Sequence, residues 1–305
     1  MTFACLLLAR LLSAQEPLAA PLPEGNVGLA SKYPGDRGIE KDPAVIFRDD
    51  FEVGLPQDRW DNVFQKETVQ IATAKENVHG GSRSIEMTVP KQRQEKSNAV
   101  VKDLKGYDTV FLRVYSKFDP DFDQIGSSHN GLYLAAISPN ISYSTPGIKA
   151  DGKNKFVASF ECWRGDPSTG SPGGLNVYCY HPEMRSDYGD HFFPSGLVLP
   201  STYLKGNFGP NFLPRLDIAP KLGEWQCYEL MMKANTPGRR DGRIACWLDG
   251  KLVADFPNLR LRDVDTLKIN HASLDLHIGD NSIRSNRKWY DDVVIATSYI
   301  GPMGG

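Results

Sequence analysis

Gly223–Phe256 reads GEWQCYELMMKANTPGRRDGRIACWLDGKLVADF, and Lys288–Pro302 reads KWYDDVVIATSYIGP. The first holds strand-like runs at Trp225–Ala234 and Arg243–Leu248 around a polar turn with Pro and Gly. A tight Asp249-Gly250 reversal then leads into Lys251–Phe256. The second reads as one closing strand, Lys288–Ala296. Working outward, similar runs recur at Val45–Phe47, Val69–Ala72, Ser84–Val89, Ser97–Val101, Thr109–Phe118, Gly131–Ala136, Phe156–Arg164, Leu175–His181 and Ala272–Ile278, with turn signals between them. Hardly any stretch has the periodicity of an amphipathic helix. Many short strands of this kind predict an all-β fold, a jelly-roll sandwich of two antiparallel sheets.

At 305 residues, 40% of them hydrophobic, the chain can bury a full core, and one domain over 43–305 is the expectation. A net charge of -2 gives no basic field for nucleic acid. No window approaches the roughly 18 apolar residues of a membrane-spanning helix. The start, MTFACLLLARLLSAQEP, has an apolar run and a Leu-Ser-Ala end that suit a signal peptide over 1–14, hence a secreted or periplasmic protein. Residues 15–42, rich in Pro, Gly and small side chains, read as a flexible lead-in. Pro182–Pro220 reads as a long loop system draped over one face, too irregular for strands.

Four cysteines follow the leader. Cys162 and Cys179 flank the turn DPSTGSPGG almost symmetrically, and Cys227 and Cys246 flank the next long turn, so two cross-strand disulfides or two pairs of reduced core thiols are both open. If Cys162 lies opposite Cys179, alternation puts Trp163, Glu161, Asn176, Tyr178 and Tyr180 together on the other face. Such a row suits a sugar-binding sheet, where rings stack on pyranose faces and polar tips hold hydroxyls. Strict alternation sends Arg164 and His181 to the cysteine side, unless a strand end or bulge redirects them.

The strands of the last third, the Tyr178-Cys179-Tyr180 run and the following His181-Pro182 together resemble the concanavalin A-like polysaccharide lyases, closest to the alginate and glucuronan lyases of family 14. The resemblance spans about Val45 to Pro302 and is strongest over Lys155–His181 and from Gly223 onward. It implies an acidic polysaccharide as partner and β-elimination as activity. Tyr180 would be the acid or base, with Tyr178 its partner. Where the family carries a lysine before a Pro-Gly-Leu segment, this chain has Ser127-Ser128-His129-Asn130-Gly131-Leu132. His129 then becomes the candidate base. Asn130 and Arg164 become candidate carboxylate binders, and Trp163, Asn176, His181 and Glu161 candidate substrate contacts. Ser159-Phe160-Glu161 stands where the family has an arginine, and a carboxylate there opposes a uronate. That departure keeps a second reading open, a non-catalytic carbohydrate-binding protein; a third is a structural surface protein with a disused groove.

The Glu-x-Asp-x-x-Glu pattern of retaining β-glucanases is absent, the six histidines are scattered without zinc spacing, and no phosphate loop or Gly-x-Ser-x-Gly elbow occurs. FRDDFE near the start and WYDDVV near the end supply hard oxygens that suit a structural calcium ion tying first and last strands. Glu52 and Asp292 are the candidate ligands, with Asp50 and Asp291 behind them. No organic cofactor is expected, and a monomer is.

Overall fold

The computed structural model describes residues 19–91, 96–126, 128–142, 146–184, 186–199, 212–279 and 284–304, so the expected signal peptide lies outside the described residues. In chain order the strands are β1 (Val45–Asp49), β2 (Asn62–Phe64), β3 (Val69–Ala72), β4 (Ser84–Val89), β5 (Lys96–Tyr107), β6 (Thr109–Phe118), β7 (Ser128–His129), β8 (Leu132–Ile137), β9 (Lys155–Trp163), β10 (Gly174–Tyr180), β11 (Asp190–Phe192), β12 (Val198–Leu199), β13 (Gln226–Lys233), β14 (Gly242–Leu248), β15 (Lys251–Leu259), β16 (Ile269–Ile278) and β17 (Asn286–Ala296). They form two antiparallel sheets. One runs β15-β14-β13-β6-β17-β4-β3 with β1 beside β17; the other runs β12-β11-β10-β9-β8-β16-β5-β2 with β7 beside β16.

Alternation explains the layers. On β9, Phe156, Ala158, Phe160 and Cys162 enter the core between the sheets, as do Leu175, Val177 and Cys179 on β10. From the other sheet Val110, Leu112 and Val114 of β6 meet Tyr228, Leu230 and Met232 of β13. Each fully buried Val, Leu, Phe or Met among them contributes about 1.5–3 kcal/mol. The expected Asp249-Gly250 reversal joins β14 to β15, both residues at positive φ (51° and 75°), as a two-residue hairpin turn requires. On β17 a bulge at Asp292 (φ 49°) breaks the register between Asp291 and Val294, which lets Lys288, Tyr290 and Val293 all face inward.

Three expectations change. Residues 19–42 do not form a loose lead-in. Three 3-10 turns, Leu29–Lys32, Pro34–Asp36 and Ile39–Lys41, lie on the outer face of the β13 sheet. There Leu29, Ala30 and Ile39 pack against Phe111, Met231, Trp247 and Ile300. Gly28 is required because a Cβ would sit 2.4 Å from the Ile300 carbonyl oxygen. Small residues thus mark close approach here instead of flexibility. The segment after Pro182 is not all loop either, since it contributes β11 and β12 to the sheet edge.

The third change is register. Cys162 lies opposite Leu175 and Cys179 opposite Ala158, four residues from the symmetric pairing. Arg164 gathers the Pro167 and Thr169 carbonyls, so the turn closes early and Trp163 pairs with Gly174. All four described cysteines are buried free thiols. Cys227 and Cys246 point to opposite faces, the former beside Arg113 and Tyr115 and the latter in the core.

Candidate functional site

An even slip of four leaves every side chain on its expected face. Ser159, Trp163, Tyr178 and Tyr180 therefore line one groove of about 1270 Å³ on the outer face of the β10 sheet, joined by His129, His191, Asp275 and His277. Glu161 and Asn176 belong to the same row but lie buried at its base.

Glu161 is the centre of the floor. Its carboxylate accepts a hydrogen bond from Ser159 Oγ (2.8 Å) and meets His129 Nδ1 at 3.0 Å. His129 sits on the short β7, which pairs with β16, so its ring comes 5.3 Å from that of His277 and 4.6 Å from that of Tyr178. Gly131 permits this crossing: a Cβ there would meet the Phe160 carbonyl oxygen at 1.8 Å. With Nδ1 against a carboxylate, the proton belongs on Nδ1 and the lone pair on Nε2.

The tyrosines form the second part. Tyr178 Oη accepts the Gly189 N–H (2.9 Å) and donates to Tyr180 Oη at 3.4 Å. Burial, reinforced by the bond to Tyr180, pushes the Tyr178 pKa far above its ordinary value, so it stays protonated. Tyr180 packs among Tyr133, Val157 and Met184, and Lys155 Nζ lies 4.0 Å from its ring centroid. Burial lowers Lys155 to about 8.

Titratable groups that the sequence did not single out complete the floor. Asp275 accepts from Ser273 Oγ (2.8 Å) and is raised to about 7, chiefly by burial and further by the Glu161 charge. Burial lowers His277 and His191 to about 4, so both are neutral near pH 7. His191 is held by Asn176 Oδ1 (2.9 Å) with its ring 5.1 Å from Trp163. Behind the floor, Lys288 of β17 donates to the Asn130 carbonyl and lies 3.9 Å from the Phe118 ring centroid; burial lowers it to about 7. The sequence signal for His277 and Asp275 was period-two spacing on Ala272–Ile278; His191 lay in a segment read as loop.

Other expected contacts lie elsewhere. Asn130 is buried, its amide donating to Ser128 Oγ and the Cys162 carbonyl and accepting from Cys162 N, so it braces the β7–β8 turn. Arg164 pairs with Asp123 and the turn carbonyls, and His181 is buried against Asp190 at 2.9 Å. Neither lines the groove.

The expected calcium ligands meet one loop from two sides. Glu52 Oε1 accepts from Ser82 N and Arg83 N and Oε2 from Ser82 Oγ, so its oxygens are committed to that loop. Asp50 pairs with Arg48. Asp292 Oδ2 meets His79 Nδ1 at 2.7 Å, and Asp291 is raised to about 8 by burial and by the neighbouring Asp292. Asp291 Oδ2 likewise accepts from His79 N and Gly80 N, which leaves Asp292 as the candidate ligand, while Glu52 does not fit the role. Among the described residues no three His, Cys, Asp or Glu side chains converge on a metal position.

The fold is that of the jelly-roll polysaccharide lyases. Alginate lyase Aly36B, in a complex with alginate trisaccharide, superposes with TM-score 0.57 at 17% identity, covering 77% of this chain and 87% of that one. The endo-β-1,4-glucuronan lyase of the fungus Trichoderma reesei gives 0.53 at 17% identity, covering 83% and 95%. The PL-14 alginate lyase of Aplysia kurodai gives 0.54 at 14%, covering 79% and 92%. No family model and no curated protein matches the chain in sequence. Among the described residues no helix is long and apolar enough to cross a membrane.

Proposed function

We propose that this protein is an exported polysaccharide lyase that cleaves a uronate-containing glycan by β-elimination. The observation that carries this reading is His129, held through Nδ1 by buried Glu161 and set 4.6 Å from the Tyr178 ring inside the groove. His129 Nε2 takes the C5 proton of the uronate. The C–H electrons form the C4–C5 double bond, the C4–O bond breaks, and the leaving oxygen takes a proton from Tyr180. Because Tyr178 donates to Tyr180 Oη, the Tyr180 proton is directed elsewhere, toward the groove, and Tyr178 can replace it afterwards. The carboxyl of Asp275, proton-bound below about pH 7, faces the uronate carboxylate with His277 beside it. The structures similar in fold include alginate lyases and a glucuronan lyase, which makes those two polymers the first substrates to try.

The test is ultraviolet absorbance of the unsaturated uronate after mixing with alginate, glucuronan and other acidic glycans. A rise that disappears in His129→Ala supports the reading; no rise on any of them, with binding retained, removes it. One observation favours a second reading, a non-catalytic carbohydrate-binding protein: among the described residues lining the groove there is no lysine or arginine to neutralise a uronate. Calcium binding at Asp292 is a separate proposal, supported by its carboxyl group on the loop that Glu52 also meets. A melting temperature unchanged by chelator would overturn it.

A further inference from the structure

Elimination beside a free uronate makes a site hold two negative charges, the C6 carboxylate and the electron pair that leaves C5, and a cation is the usual answer. The floor of this groove carries the opposite sign. Glu161, buried under His129, brings a carboxylate that Ser159 Oγ holds at 2.8 Å. Two strands along, on β16, Asp275 lines the same groove and is charged above about pH 7. His277 and His191 do not offset these groups near neutral pH, because burial holds both near 4. His129 acts as a base only with Nε2 unprotonated, so the reacting form brings no positive charge either.

Cations around the floor are committed elsewhere. Lys155 and Lys288 are 0% and 1% exposed, the one against the Tyr180 ring and the other on the Asn130 carbonyl. Arg164 pairs with Asp123. Among the described residues, no lysine or arginine lines the groove. An esterified C6 removes the difficulty. The carboxyl is then uncharged, the C5 proton is more acidic than beside a carboxylate, and the ester carbonyl takes up the developing electron pair without becoming a dianion. The alkyl group meets an apolar wall, since Ala99 of β5 lies opposite Asp275 and lines the groove.

We propose that the preferred substrate is a polyuronate whose C6 carboxyls carry small alkyl esters, and that Glu161 and Asp275 select against the free acid by repulsion. The inference rests on the lyase reading above. His129 Nε2 takes the C5 proton of the esterified residue, and the C–H electrons form the C4–C5 double bond. The C4–O bond breaks, the leaving oxygen takes the Tyr180 proton, and the ester stays unchanged on the unsaturated end.

The experiment compares kcat/KM at pH 8 on alginate, glucuronan and polygalacturonate with that on their methyl esters, read as unsaturated product after subtracting the rate without protein. Expected is a value at least about tenfold higher for the esters, with the ratio narrowing about threefold in Asp275→Asn as the free acids gain. Free acids cleaved as fast as their esters would overturn this inference and leave the lyase reading standing. A ratio unmoved by Asp275→Asn would overturn the assignment of the selection to the floor. A rise no greater than that of His129→Ala on every polymer would remove the lyase reading, and this inference with it.

Discussion

The outer faces of the two sheets start from the same alternation and end differently. On the β13 sheet, Phe111, Met231, Trp247 and Val294 are covered by the turns of residues 29–41 and by Tyr299 and Ile300. The charges on that face are paired with its cover. Arg113 bonds Asp36 of the strap, and Glu229 accepts from Ile300 N and Gly301 N, both at 2.8 Å. On the β10 sheet the corresponding row keeps His129, Trp163 and Tyr178 at an open groove, above a buried carboxylate that serves a histidine in the groove. Buried polar groups occur on both faces. What differs is whether their partners belong to a cover or to the wall of a cavity, and that difference locates function better than a count of buried charges.

The comparison is broken most severely at the groove. His129→Ala should lower turnover by about 10²–10⁴-fold with little change in melting temperature, and Glu161→Gln, which keeps the shape but loses the charge, by somewhat less. Steady-state rates and thermal melts on the same preparations check this. A stability loss that accounts for the lost activity would make the His129–Glu161 pair another structural clamp.

The covered face should respond in the opposite way. Burial by itself lowers the Arg113 pKa, yet the Asp36 charge outweighs it and holds the guanidinium above its ordinary value. Asp36→Ala strands that cation in a dry interface and should cost about 3–5 kcal/mol in denaturant unfolding. Glycan affinity of the folded protein should be unchanged. A weakened affinity would mean that the two faces communicate through the sandwich.

Lys288 lies between the two regions, and its replacement should have a smaller effect. Its pKa falls to about 7 in the folded protein against 10.5 as the ordinary value, so the unfolded chain binds more protons between those values. Stability therefore rises with pH across that window, and the penalty is fully present below pH 7. Lys288→Met should remove this slope and raise stability at pH 7 by about 1–3 kcal/mol, read from melts at pH 6, 7 and 9. A lower melting temperature at pH 7 would show that its bond to the Asn130 carbonyl, which braces the turn carrying His129, outweighs the buried charge.

Much of this was written in period-two patterns. Val69–Ala72, Ser84–Val89 and Thr109–Phe118 have their expected bounds because β-branched and aromatic residues there end at clear turn signals. The groove row was legible even with the wrong partner for Cys162, because face depends on parity and register on how the turn closes. Three features were not legible. The strap looked like a linker because close packing against a carbonyl demands the same glycine that a flexible segment would carry. β11 and β12 are too short to show alternation. Arg164 and Asn130 carry the right groups for a carboxylate, but their hydrogen bonds are spent on a turn and a strand crossing, which depends on three-dimensional proximity alone.

The smallest expected effect is the most specific to the open face. Asp275 is held near 7 instead of 3.8 by burial, with the Glu161 charge adding to the shift and the Ser273 bond and His129 opposing it. A raised carboxyl is proton-bound in the folded protein below about pH 7, where it can donate to a uronate carboxylate, and charged above it, where it repels one. Affinity for an acidic glycan should therefore fall about fivefold between pH 6 and pH 8 and stay flat for a neutral one. The neighbouring groups sharpen the test. His277 and His191 are already neutral throughout that range, since burial holds both near 4. Lys288 titrates near 7 as well, but its charge vanishes in Lys288→Met, where the Asp275 step should persist. In Asp275→Asn the carboxamide donates at every pH, so the step should disappear while binding at pH 6 stays close to that of the parent. A pH step surviving in Asp275→Asn would show that the Asp275 carboxyl is not the group through which the groove senses the charge of its ligand.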